Sequence, residues 1–165
     1  MKKKRAAAPQ TISDREVDAM QAAVAEVARP LEDALSAANH VFAVRLAPIA
    51  RLDENLPLRE PLPDVVRRMV DHPVRSVRPI KPASRWPQLF RGALLPMGSR
   101  HPGVDDAELD VLIHGLIEAI SLHLGEIRIA VEVEIVPRDY YANLFADFVL
   151  ISQSHAAVLS LAVTD

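Results

Sequence analysis

Apolar positions recur at helical spacing near the start of the chain. An apolar residue returns every three or four positions at Val17, Met20, Val24, Val27 and Leu31. This period predicts an amphipathic helix over about 14–28, with Ser13 as its cap and Glu16 three residues later, as in a capping box. Pro30 fits either a break or the first turn of a second helix over 31–38. Residues 41–46 fit a strand or a helix equally well, and the segment ends near Pro48.

The last third of the chain has the clearest pattern. Acidic residues open a helix over 105–124 that Gly125 ends, and its core-facing stripe is Leu109, Leu112, Ile113, Leu116, Ile117, Ile120 and Leu124. Apolar and polar residues then alternate over 126–136, which predicts a half-buried strand. Two further apolar runs, 144–151 and 156–163, flank a polar turn at 152–155. We therefore expect a helix packed on an antiparallel three-stranded meander.

The final strand of this meander is a candidate partner-binding element. It places Leu159, Leu161 and Val163 on one face and is the last strand before the chain ends at Asp165. A terminal strand at the edge of a sheet exposes unpaired backbone groups that another chain can pair with. The sequence thus predicts that these three residues contribute to a protein contact.

Proline and basic residues dominate the middle of the chain. Nine of the 13 prolines lie between Pro57 and Pro102, so residues 51–104 are predicted to be mostly loop, with one short helix over 63–70. Partner-binding candidates here are Arg67, Arg68, Arg75, Arg78, Arg85 and Trp86. The basic residues would attract nucleic-acid phosphates or the acidic last third of this or another copy of the chain. Trp86 is expected to anchor the segment on the core.

Charge divides the chain unevenly, although the net charge is only -3. Residues 1–104 carry 17 basic and 11 acidic side chains, and residues 105–165 carry 2 and 11. We expect a flexible basic tail over 1–12, a helical segment over 13–50, the basic proline-rich region over 51–104 and the helix with its meander over 105–165. Together these form one α+β domain.

Catalytic and metal-binding signatures are missing from the sequence. The chain has no cysteine and only five glycines, with no nucleophile elbow, zinc-protease motif or phosphate loop. His155 beside Ser152 and Ser154 is the most enzyme-like of the six histidines, the others being His40, His72, His101, His114 and His123. The sequence predicts no catalytic residue, no metal and no cofactor. It also predicts a cytoplasmic protein without a membrane span.

The last 55 or so residues resemble a known family. The helix over 109–124, the strand over 127–135 and the pair 148–152 and 158–165 look like the C-terminal domain of type III secretion substrate-specificity-switch proteins. In that family a further helix follows the last strand, whereas this chain ends at Asp165. The resemblance implies a bacterial-type, non-enzymatic component of a secretion apparatus. A phage-structure component or an immunity protein would match the same pattern.

The sequence as a whole therefore predicts a protein-binding subunit or adaptor of a larger assembly, with a protein partner or a second copy of the chain bound to it. One alternative is a small enzyme or small-molecule binder with a pocket near the basic segment, lined by His72, His101 or His155. Another is a nucleic-acid-binding accessory protein that uses the basic residues between 67 and 100.

Overall fold

Four helices and five strands make up the described part of the chain. A computed structural model describes residues 12–36, 40–52, 61–70, 72–97, 103–136 and 144–164. The helices are α1 (Ile12–Leu35), α2 (Leu62–Met69), α3 (Trp86–Met97) and α4 (Asp106–Leu124). The strands are β1 (Val41–Arg51), β2 (Val74–Ile80), β3 (Ile129–Ile135), β4 (Leu144–Ile151) and β5 (His155–Thr164). The α+β class is confirmed.

The strands form one antiparallel sheet in the order β1-β5-β4-β3-β2. The three consecutive strands β3, β4 and β5 are neighbours, as predicted, but the sheet has five strands rather than three because β1 and β2 add to its two sides. Residues 41–46 are therefore strand. The prediction that the last strand lies at an open edge is wrong, because β5 is paired on both sides, with β1 and with β4.

One face of the sheet, which we call the first face, carries the larger core. Alternate residues of β1, β4 and β5 point to this side and pack against α1, α3 and α4. The predicted stripe of α4 is confirmed, with Leu109, Ile113, Leu116, Ile120 and Leu124 all buried. Asp105 caps α4 by accepting a hydrogen bond from the Glu108 N–H at 2.8 Å, and Gly125 follows its end with a φ of 83°.

The opposite side, the second face, is covered by the short helix α2. Val65, Val66 and Val70 are buried there against an apolar cluster of the sheet: Val131, Val133, Val149, Ile151, Ala156 and Val158. Asp64 near the start of α2 and Arg67 and Arg68 near its end suit the helix dipole. Since α2 has only eight residues, about 12 Å of helix, it covers only part of a five-stranded sheet.

α1 is a single helix that continues through Pro30 and includes Ser13, so neither the predicted cap nor the predicted break is found. Proline inside a helix costs about 3 kcal/mol because a backbone hydrogen bond is lost. Pro30 itself is exposed, whereas Ala28 and Leu31 on either side are completely buried. Burial of the flanking residues offsets the cost, because straightening or breaking the helix would expose them.

The end of α1 is joined to the free side of β1 by side chains. The Glu32 carboxylate accepts a hydrogen bond from the Val44 N–H at 2.8 Å, and the Ser36 hydroxyl accepts one from the Phe42 N–H at 3.0 Å. These N–H groups belong to an edge strand, and α1 satisfies them in place of a further strand. Pro48 lies further along β1 and has no N–H to offer. The β1 edge is thus partly closed to another chain.

The middle of the chain is more regular than predicted. Between 51 and 104 the structure contains α2, β2, a 3-10 turn at Ala83–Arg85 and α3. The prediction that this region is mostly loop is therefore wrong. Proline is accommodated because Pro79 lies in an edge strand, Pro82 precedes the 3-10 turn and Pro87 lies in the first turn of α3. Residues 1–11, which include most of the predicted tail, lie outside the described residues.

In the described part of the chain, we find no helix with both the length and the apolar character needed to span a membrane.

Candidate protein-binding surface

Part of the second face remains uncovered beyond α2. Its side chains are Val41 and Ala43 on β1, Ala162 on β5 and Phe145 on β4, which we call the open sheet patch. Ala162 is opposite both Ala43 and Phe145 in the strand register, so these three side chains form one row across the sheet. Val41 is 59% exposed and Phe145 is 47% exposed. These two exposed apolar side chains lie on either side of β5, and exposed apolar side chains grouped on one sheet face are typical of a binding surface.

The position of α2 explains why this patch is open. The helix packs on the part of β4 and β5 that contains Val149, Ile151, Ala156 and Val158. The open sheet patch lies four or more residues further along β5, past Ser160. α2 is too short to reach the open sheet patch. The residues in the centre of the patch, Ala43 and Ala162, are small.

A polar row separates the covered and open parts of the second face. Arg45, Ser160 and Asp147 lie side by side on β1, β5 and β4. The Ser160 hydroxyl donates a hydrogen bond of 2.6 Å to Asp147 Oδ1. Asp147 is only 6% exposed. Burial raises the pKa of this carboxyl above its ordinary value of 3.8, against the smaller lowering effects of the Ser160 hydrogen bond and of His72.

The border of the open sheet patch is basic. Arg45 is exposed, and among the described residues no carboxylate pairs with it. His72 is exposed and close enough to Asp147 to influence its pKa. Arg67 and Arg68 are also exposed, but they lie at the end of α2, which does not extend to the patch. An apolar centre with a basic rim suits a partner that brings apolar side chains together with acidic ones.

Several of the predicted basic residues are paired with acids of this chain. Arg75 contacts Glu134 at 3.0 Å and Arg78 contacts Glu132 at 3.2 Å, across β2 and β3. Arg67 pairs with Asp64 inside α2, and Arg91 of α3 pairs with Asp110 of α4. Arg85 is exposed in the 3-10 turn. The basic middle and the acidic end of the chain thus partly neutralise each other within one molecule.

The other predicted site residues are in the core. Trp86 is 3% exposed and packs edge-on against Phe90 with 6.2 Å between ring centroids, so it anchors α3 rather than a loop. Leu159 and Leu161 are completely buried and Val163 is 6% exposed, all on the first face. Because β1 pairs with β5, these three side chains do not lie on an edge strand. The structure does not bring them together with the predicted arginines.

The predicted histidine-lined pocket is not assembled by the described residues. His72 lies on the second face and His155 beside β1, while His101 is outside the described residues. His114 pairs with Glu118 on the exposed side of α4 at 3.1 Å. Among the described residues no three histidine or carboxylate side chains are grouped so that they could hold a metal ion.

His155 is the second buried titratable group. Its Nδ1 is 2.9 Å from the Ser154 hydroxyl, its Nε2 is buried without a hydrogen-bond partner, and it lies opposite Arg51 of β1. Burial lowers its pKa below the ordinary 6.5. Ser152 closes the turn by accepting the His155 N–H at 3.0 Å. Among the described residues no carboxylate is hydrogen-bonded to the ring, so they do not complete a catalytic triad here.

A shallow groove lies nearby, between the start of α1 and the end of β1. Its volume is about 270 Å³, and its lining residues are Asp14, Val17, Asp18, Ile49, Ala50 and Arg51. Arg51 forms an ion pair with Glu16 at 3.5 Å. Sites for small molecules commonly occupy about 300–1,000 Å³, so the groove is small for a site of that kind. It is also apart from the basic segment where the sequence predicts a pocket.

Sequence reasoning missed the open sheet patch and Asp147. The available signal was the acid in the middle of the apolar run Leu-Phe-Ala-Asp-Phe-Val-Leu-Ile over 144–151. A charged residue at an inward position of a strand is uncommon without a special role. The exposure of Val41 and Phe145 had no such signal, because it depends on how far α2 reaches.

No known protein family, curated protein or solved structure matches this chain.

Proposed function

We propose that this protein is a non-enzymatic, protein-binding subunit or adaptor of a larger assembly, and that it binds its partner through the open sheet patch. One observation carries the proposal: Phe145 and Val41 stay 47% and 59% exposed on a sheet face of which α2 covers only a part. Burying one such side chain contributes about 1.5–3 kcal/mol. A partner that covers both would remove water from an apolar surface that the described residues leave exposed.

The polar row supports a binding role for the same surface. Asp147 and Ser160 are hydrogen-bonded to each other and remain fixed, while the exposed Arg45 next to them can meet a carboxylate of the partner. Apolar contacts in the centre with a charged group at the rim are the usual arrangement of a protein interface. A component of a secretion apparatus, which the family resemblance suggests, would be one such subunit.

The nucleic-acid alternative has weaker support. Arg67, Arg75, Arg78 and Arg91 each have a carboxylate partner within the chain. A polyanion would have to compete with those acids for the same guanidinium groups, which lowers the electrostatic gain of binding.

Site-specific photocrosslinking in cells that naturally make the protein would test the proposal. The photoreactive analogue p-benzoyl-phenylalanine replaces Phe145 in one variant and Leu89, a 38% exposed residue of α3, in a control variant. We expect a discrete protein adduct from position 145 and none from position 89. Loss of the adduct in Arg45→Glu would show that the rim takes part. An absence of any adduct at position 145 would contradict the proposal.

A further inference from the structure

The outer side of α4 is the second exposed apolar surface of the molecule. Val111 is 70% exposed and Leu122 is 80% exposed. They are eleven residues apart, three helical turns, so they lie on the same side of the helix about 16 Å apart. Glu108 and Glu118 lie on this side as well, and both are exposed. We call these four residues the α4 outer face.

The two surfaces have opposite charge. The α4 outer face combines two aliphatic side chains with two glutamates, and further acids follow around the start of the helix. The open sheet patch presents Val41 and Phe145, and the exposed Arg45, which pairs with no carboxylate of the described residues, borders it. Among the described residues, His114 pairs with Glu118 of the α4 outer face, and Arg91 pairs with Asp110 beside it. Apolar and charged groups therefore match between these two surfaces of the same protein.

The two surfaces also have compatible dimensions. The row from Phe145 through Ala162 to Ala43 crosses three strands, which is about 10 Å. An α-helix with its side chains is about 10–12 Å in diameter. Ala43 and Ala162 are small, so their side chains leave room for the side chains of a helix laid across this row.

From this match we infer that the occupant of the open sheet patch is the α4 outer face of a second copy of this chain. The inference rests on the proposed function and names its partner. Patch-to-patch pairing would bring two Arg45 side chains together, and α4-to-α4 pairing would bring the glutamates together. Only the head-to-tail arrangement joins unlike charges. Because each copy then still offers one free surface of each kind, the contact repeats and generates a ring or a filament.

Two variants with one defective surface each would test this arrangement. Phe145→Glu places an acid in the patch opposite the acidic helix, and Leu122→Gln replaces an aliphatic side chain of α4 with a neutral polar one, which offers no opposite charge to the altered patch. Both positions are exposed, so the fold should tolerate the changes. Leu89→Arg on α3 is the control for an added charge at an apolar surface residue. Arg45→Glu replaces Phe145→Glu if that variant does not fold, as judged by circular dichroism.

Sedimentation velocity over a concentration series gives the readout. We expect the wild type and Leu89→Arg to form species larger than dimers, and each surface variant alone to associate roughly 30-fold more weakly. An equimolar mixture of the two surface variants should form a dimer and nothing larger, because one intact patch meets one intact α4 and no free pair of surfaces remains.

Three results would overturn the inference: a monomeric wild type at all concentrations, unchanged association of the variants, or no dimer in the mixture. The crosslinking experiment separates this failure from that of the proposed function. An adduct of position 145 with a different protein would refute self-assembly through the patch and leave the binding role intact. An adduct with a peptide from α4 would support both.

Discussion

Removing the ring of Phe90 should destabilise the protein more than any change on its surface. Phe90 is completely buried and joins α3 to the sheet, with its ring edge-on to Trp86 at 6.2 Å and to Phe148 at 6.3 Å between centroids. A Phe→Ala change in a core costs about 3–5 kcal/mol through lost burial and the cavity left behind. For a protein of this size, that loss lowers the melting temperature by about 6–20 °C.

Urea unfolding followed by far-ultraviolet circular dichroism would measure the loss. Tryptophan fluorescence is less suitable, because Trp86 contacts the mutated ring. Leu89→Ala is the matched control, since the residue is next to Phe90 in α3 but 38% exposed. It should cost less than about 1 kcal/mol. Similar costs for Phe90→Ala and Leu89→Ala would refute our account of how α3 is anchored.

A double-mutant cycle isolates the contact between α3 and β4. Phe90→Leu and Phe148→Leu keep the apolar character of both sites but remove the edge-on pair. Aromatic pairs of this geometry contribute about 0.5–1.5 kcal/mol beyond their burial. We therefore expect a coupling free energy in that range, and a value near zero would show that the two rings act as independent apolar groups.

Three further predictions concern buried polar groups. Burial raises the pKa of Asp147, so the folded protein binds this proton more tightly than the unfolded chain does. The free energy of unfolding therefore falls as the pH rises from about 3.8 through the folded pKa. Asp147→Asn should remove this fall, which unfolding measured at pH 4 and pH 7 would show. For His155 the pKa is lowered, so stability is lost as the pH falls below 6.5; His155→Gln should flatten this decline, and an unchanged pH profile would contradict the assignment. Glu32→Ala should cost about 1–3 kcal/mol in thermal unfolding, because the Val44 N–H loses its acceptor, whereas an effect below a few tenths would mean that water replaces the carboxylate.

Periodicity predicted the elements whose burial depends on local pattern. The stripe of α4 and the alternation over 126–136 each place one apolar side against a core, and both appear as expected. The prediction that Pro30 breaks the first helix is wrong. The free-energy cost of a proline inside α1 is offset by the burial of Ala28 and Leu31 against elements distant in sequence. The pattern of residues around Pro30 does not show that these two energies offset each other, because the burial depends on the tertiary fold.

The candidate surface depended on topology and was therefore not predictable. The terminal position of β5 suggested an edge, but β1 joins it from the other end of the chain and buries Leu159 and Leu161. The exposed apolar side chains lie instead beyond the end of α2 and on the outer side of α4. The charge split was informative, since basic and acidic segments do meet, as in the pairs Arg75 with Glu134 and Arg78 with Glu132.

The position of β5 between β1 and β4 also determines when the sheet can form during synthesis. β1 pairs Val41 with Thr164, so this strand has no neighbour in the sheet until residues 155–164 have left the ribosome. Pairings this distant along the chain close slowly. During that interval the hydrogen bonds that the Phe42 and Val44 N–H groups donate to Ser36 and Glu32 can protect the waiting strand. A chain truncated before His155 would leave β1 and β4 without their shared neighbour, so incomplete copies should fail to fold and be degraded rather than join an assembly.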